Sequence, residues 1–149
     1  MPSITICSSV AFYKQVIEAR NQLEAMGYEV IVPEVAKRME AANDYVVEHF
    51  KPWFADPNDY PKKGEFMRGH FEEVAKGDAT FVMNYQKNGV DNYIGGNVLM
   101  EMGLAFYLKK PMFILNEAPT ESAFLEEILG LGCTILHGKL EDIAKTLPV

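Results

Sequence analysis

From Tyr93 to Leu108 the chain reads Tyr-Ile-Gly-Gly-Asn-Val-Leu-Met-Glu-Met-Gly-Leu-Ala-Phe-Tyr-Leu, and the only charge in it is Glu101. Gly95 and Gly96 let the backbone approach a ligand closely. Asn97 is of the type that caps a helix, and a helix is predicted to start at 97 or 98. Glu101 then falls in the first turn or just past it, between Met100 and Met102, on a helix that is apolar on nearly every face. Two effects compete for its pKa: desolvation by the methionines raises it, while the helix N-terminus favours the carboxylate. A carboxylate kept ionised but poorly hydrated serves as a nucleophile or as the stabiliser of a cationic centre. The plainer alternative is a surface glutamate that complements the helix dipole.

Other candidates surround this segment. Cys7-Ser8-Ser9-Val10-Ala11 ends an apolar run and offers hydroxyls and backbone N–H groups at a helix start. These groups suit sugar or phosphate oxygens, or they simply cap the helix. Asn84 and Tyr85 end another apolar run and are expected to point towards the same place, to read a sugar or a base. Cys7 is read as a small buried hydrophobe. His49, His70 and His137 show no metal-ligand spacing with the cysteines or with one another, so no metal is expected. No cofactor is called for.

The elements that must position these residues follow from the apolar pattern. Short runs at 4–7, 29–32, 80–85, 111–116 and 133–136 read as strands. Phe12, Val16, Ala19, Leu23 and Met26 form one face of a helix ended by Gly27, and further helices are expected near 64–76, 97–109, 121–129 and 139–146. Five strands alternating with helices predict an α/β fold. It is a single-domain, flavodoxin- or Rossmann-like, doubly wound parallel sheet of order 2-1-3-4-5 with helices on both faces. Ligands of such sheets bind beyond the carboxyl ends of the strands where the order reverses, here between the first and third.

Residues 34–63 exceed a plain connection. Val35 to Phe50 has helical character, followed by a stretch from Lys51 to Pro61 rich in proline and aromatics. Two readings stand: a surface excursion with a satellite core around Trp53 and Phe54, or a lid or dimer arm over a pocket.

The composition sets outer limits. The chain has 149 residues, 14 Lys+Arg against 21 Asp+Glu and a formal net charge of −7. An acidic chain lacks the basic footprint that nucleic-acid polymers and anionic membranes require. No apolar run reaches the ~18 residues of a membrane span. The opening Met1-Pro2-Ser3-Ile4 has no basic region of the kind that starts a signal peptide, so a cytoplasmic protein is expected.

The segment Gly95-Gly96-Asn97-Val98-Leu99-Met100-Glu101-Met102-Gly103-Leu104-Ala105, followed by Lys110-Pro111 and an apolar strand, resembles the core motif of the nucleoside 2-deoxyribosyltransferase superfamily. That superfamily includes 2′-deoxynucleoside 5′-monophosphate N-glycosidases. The opening Ile4 to Ser9 and the Gly77-Asp78-Ala79 lead into the third strand are also similar, so the likeness covers most of the chain outside 34–61. It implies that Glu101 attacks C1′ of a (deoxy)ribose as the bond to the base breaks, after which water or a second base takes the sugar. It also implies a homodimer or larger homo-oligomer, with Asn116 or the loop after it contributing across the interface.

Three positions depart from the family pattern. Where monophosphate hydrolases often carry a serine six residues before the glutamate, this chain has Gly95. Phosphate recognition would then rest on the N–H groups of Gly95, Gly96 and Asn97 and on Ser8 or Ser9. Where many members have an aspartate on the helix before the third strand, this chain has His70, which is either a proton donor to the leaving base or an ordinary helix histidine. The loop from Tyr85 to Asn97 is also longer than in the compact hydrolases. The Gly95-Gly96 to Glu101 spacing is similar, too, to the cytokinin-activating phosphoribohydrolases, but Val98-Leu99 replace their Gly-Thr. Two non-catalytic readings remain beside these: a nucleotide-binding sensor, and an interaction protein with a vestigial pocket.

Overall fold

The computed structural model describes residues 1–149. Five strands, β1 (Ser3–Ser8), β2 (Glu29–Ile31), β3 (Ala79–Met83), β4 (Met112–Ile114) and β5 (Thr134–Ile135), form one sheet of order β2-β1-β3-β4-β5. Every pairing is parallel, with Ile4 opposite Val30 and Ala79, and Phe81 opposite Phe113. The expected Rossmann-like α/β fold and strand order are what the chain adopts.

Alternation along the strands sends successive side chains to opposite faces, and each face has its own core. Ile4, Ile6, Phe81 and Phe113 pack with Val16 and Leu23 of α1 (Tyr13–Ala25) and Met39 of α2 (Glu34–Ala42). Cys7, Val82 and Ile114 pack on the other face with Val74 of α3 (Tyr60–Lys76), Met102 of α4 (Gly96–Tyr107) and Ile128 of α5 (Leu125–Gly130). A final short helix, α6 (Ile143–Thr146), returns Ile143 to the first core. Gly77, between α3 and β3, sits where a Cβ would lie 2.4 Å from Thr5 Oγ1, so only glycine lets the helix close onto β1 there.

The elements differ from expectation mainly at their ends. The third strand stops at Met83, leaving Asn84 and Tyr85 in the following loop. The expected helix over 139–146 is a 3₁₀ turn, Leu140–Asp142, followed by α6. In the long 34–63 segment, α2 ends where Asn43 takes a left-handed conformation (φ 47°), and 3₁₀ turns follow at Val47–Phe50, Pro52–Phe54 and Pro57–Asp59. Pro61 then sits in the first turn of α3, where its missing N–H costs nothing. Trp53 is buried, packed edge-on to Phe54 and tilted on Phe66. Phe54 itself is 63% exposed, so the satellite core is centred on Trp53 alone.

Candidate active site

The carboxyl end of β1, the loop after β3, the start of α4 and the inner face of α3 line a cavity of about 500 Å³. That volume suits a small-molecule ligand. The 34–63 segment supplies part of the lining through Lys51, Trp53 and Lys63.

Glu101 forms part of the floor although only 2% of it is exposed. It lies in the second turn of α4, and Asn97, one turn earlier, donates from Nδ2 to its Oε1 at 2.8 Å. Gly95, not Asn97, occupies the cap position, so the Asn97 side chain is free for this bond. The methionines do not desolvate Glu101 as the linear sequence suggests. Neighbours on a helix diverge by about 100°; Met100 points out, 47% exposed, and Met102 enters the core. Burial against β1 and α3 instead pushes the Glu101 carboxyl above its ordinary value, opposed by the charge of His70, Cys7, the charge of Lys63 and the Asn97 bond.

His70 reaches the same point from α3. Its Nε2 lies 3.9 Å from Glu101 Oε2, 3.5 Å from Cys7 Sγ and 3.0 Å from the Ile6 carbonyl oxygen. Its Nδ1 lies 2.8 Å from Glu73 Oε2. A carbonyl oxygen and a carboxylate only accept, so both ring nitrogens face acceptors, the setting that favours the imidazolium. Burial alone would discharge it; the bond to Glu73 and the charges of Glu101 and Glu73 outweigh that and hold it above its usual range. One donor atom each of Cys7, His70 and Glu101 lies within 4.8 Å of the others, a convergence the sequence spacing did not reveal. Burial and the Glu101 charge keep the Cys7 thiol well above its ordinary pKa, so it stays protonated.

Ser8 and Ser9 line the cavity as well. Ser9 does not cap the helix start: its side chain makes no cap bond and accepts from Lys87 Nζ at 2.8 Å. Ser8 Oγ donates to the Ser9 carbonyl at 3.1 Å. Gly95 and Gly96 form the rim at the start of α4. A Cβ at Gly95 would stand 3.0 Å from the Tyr93 hydroxyl, so Tyr93 occupies the space above this position.

Asn84, Tyr85 and Asn116 are placed elsewhere. Asn84 is fully buried and ties loops together, donating from Nδ2 to the carbonyls of Asn92 and Glu117 and accepting from the Asn116 N–H. Asn116 Nδ2 returns a bond to the Asn84 carbonyl. Once β3 and β4 end, their backbone groups still need partners, and these two amides supply them. Tyr85 packs edge-on against Phe12 at 5.4 Å. None of the three lines the cavity.

Three lysines not singled out from the sequence do line it: Lys51, Lys63 and Lys87. Lys63 Nζ donates to Asn97 Oδ1 at 3.4 Å, linking it to the Glu101 carboxylate through Asn97. Lys87 is presented by a tight hairpin closed by reciprocal bonds between Lys87 and Val90, with Asn88 and Gly89 both at positive φ (52° and 75°). An Asn-Gly pair is a known signal for such a turn, so this residue was within reach of the sequence. Tyr13, also on the wall, has its phenol pKa pushed up by burial and stays neutral.

Fold and site together define a Rossmann-like α/β protein with a buried carboxylate–imidazolium pair under a lysine-lined cavity. No protein-family model and no curated protein matches the chain. Among solved structures it is similar to the CMP N-glycosidase BcmB of Clostridium botulinum, at 12% identity and a TM-score of 0.46, over 97% of this chain and 96% of that one.

Proposed function

We propose that this protein cleaves or transfers the N-glycosidic bond of a nucleoside or nucleoside 5′-monophosphate, with Glu101 as the nucleophile. The observation that carries the proposal is a carboxylate almost wholly removed from water that nevertheless faces the cavity, its Oε1 held by Asn97 and its Oε2 facing the His70 imidazolium. A carboxylate in that state binds an oxocarbenium-like sugar more tightly than a neutral one, which is the differential binding that lowers a barrier. The glutamate motif quoted above assigns the same role to Glu101 by resemblance.

In this reading Glu101 attacks C1′ and the C1′–N electron pair leaves with the base. Water then adds to C1′, Glu101 departs as carboxylate, and the water's proton neutralises the released base. A second base in place of water gives transfer. His70 acts as the charge partner that keeps Glu101 ionised, because both its N–H groups are engaged away from the leaving group.

The test is base release from ribo- and deoxynucleosides and their 5′-monophosphates, read by chromatography, with Glu101→Ala as control. Release by the wild type and not by the variant is expected. No release from any substrate, together with heat protection by nucleotide, would leave a nucleotide sensor in its place.

A further inference from the structure

We infer that Lys51, Lys63 and Lys87 form an anion site for the phosphate of a phosphorylated nucleoside, so that the substrate is a nucleotide rather than a free nucleoside. The inference rests on the glycosidic reading of the same cavity but uses residues that reading does not need.

The argument begins with charge. The chain carries a net −7, yet three half-buried lysines converge on one cavity. The ion pairs of the molecule all involve other cations, such as Lys37, Lys62 and Lys145, and none of these three has a carboxylate within 4.0 Å. Of the carboxylates of the cavity, Glu34 pairs with Lys37 and Arg38 and Glu73 with His70, while Glu101 is bonded to Asn97 and acts on Lys63 without direct contact. Glu65 lies on the exposed rim.

Each lysine is held against an aromatic ring, Lys51 over Phe54 at 5.2 Å, Lys63 over Trp53 at 5.8 Å and Lys87 over Tyr93 at 5.0 Å. A ring face steadies a cation without neutralising it. Burial lowers the pKa of all three, Lys63 and Lys87 further lower that of Lys51, and the charges of Glu48 on Lys51 and Glu101 on Lys63 only partly oppose this, so like charges are held together partly out of water. A bound dianion removes that repulsion and restores the lost solvation. The Ser9 hydroxyl, bonded to Lys87, and the first turn of the twelve-residue helix α4 open onto the same space. Lys51 of the 34–63 segment, Lys63 on α3 and Lys87 on the Lys87–Val90 hairpin come together to make this site.

The test uses the Glu101→Gln chain, so that nothing turns over, and calorimetric titration with matched nucleosides, their 5′-monophosphates and inorganic phosphate. The monophosphate is expected to bind at least about tenfold tighter than its nucleoside, and phosphate to compete with it. Lys51→Met, Lys63→Met and Lys87→Met should each weaken the monophosphate by about tenfold, and Lys51→Met and Lys87→Met, which do not touch the Asn97–Glu101 pair, should leave the nucleoside within about twofold. The matching arginine variants should keep most of the affinity, and Lys145→Met, remote and ion-paired, should change nothing. Equal affinity for nucleoside and monophosphate, or equal weakening of both by the lysine variants, overturns the site. Base release from free nucleosides that ignores Lys51→Met and Lys87→Met sinks the anion site and leaves the glycosidic reading standing. Lysine-dependent monophosphate binding with no base released by the parent protein does the reverse.

Discussion

The Nε2 of His70 lies 3.9 Å from Oε2 of Glu101, while the N–H groups of its ring are directed to the Ile6 carbonyl and the Glu73 carboxylate. The histidine therefore faces the glutamate as a charge and not as a hydrogen-bond donor. Of the influences that hold the Glu101 pKa down against burial, His70 is the largest.

Replacing His70 by Gln should push the Glu101 pKa further up and move the acid limb of the kcat/KM profile for base release to higher pH. Each unit of movement lowers the rate about tenfold on the acid side. A proton-donor role predicts, in addition, that an alkaline limb present in the parent protein disappears from the variant. The pH profiles of the two proteins decide between them.

Asn97→Ala removes the one side-chain hydrogen bond to Oε1 of Glu101. Loss of a bond to a charged group costs about 1.5–3 kcal/mol, so kcat should fall by about ten- to a hundredfold. The acid limb should again move up, because this bond also lowers the Glu101 pKa. Asn97→Asp, with the same shape but the wrong charge, should be worse than alanine. An unchanged kcat in both variants would remove Asn97 from the mechanism.

Stability should fall with rising pH in two windows. His70 has a folded-state pKa above its unfolded value near 6.5, so its contribution is complete below that value and is lost as pH rises through the folded one. Glu101 is also raised, so its neutral form favours the fold, and the benefit is lost from its ordinary 4.5 upward to the folded value. Tm measured against pH should therefore slope downward in both ranges. Glu101→Gln should flatten the lower slope and His70→Gln the upper. A Tm that rises through either window contradicts the assignment.

Thr80 and Thr5 are paired in register on β3 and β1, both fully buried, and differ in one respect. Thr5 Oγ1 donates to the Glu73 carbonyl at 2.9 Å, whereas Thr80 Oγ1 has no partner. Thr80→Val should be neutral or stabilise by up to about 1 kcal/mol, and Thr5→Val should destabilise by about 1–3 kcal/mol. Thermal melts of the two variants, expected to move in opposite directions or not at all for Thr80, check the claim.

The sequence by itself determined the sheet. Short continuous apolar runs separated by helical patterns leave few arrangements other than parallel strands covered on both faces, and burial on both sides makes that preference strong. The same local rules located Glu101, Gly95, Gly96, Asn97, Ser8 and Ser9 around one cavity, since each is adjacent to a strand end or a helix start. Local pattern did not determine which way side chains point once a strand has stopped. Asn84 and Asn116 lie one and two residues past their strands and were taken up by unsatisfied backbone groups instead of the cavity. Only the tertiary structure decided the rest. Cys7 and His70 are 63 residues apart, His70 and Glu101 are 31 apart, and Lys51 comes from a segment with no regular pattern. Contacts of that range arise from the packing of α3 and α4 against the ends of β1 and β3, and periodicity along a chain carries no record of them.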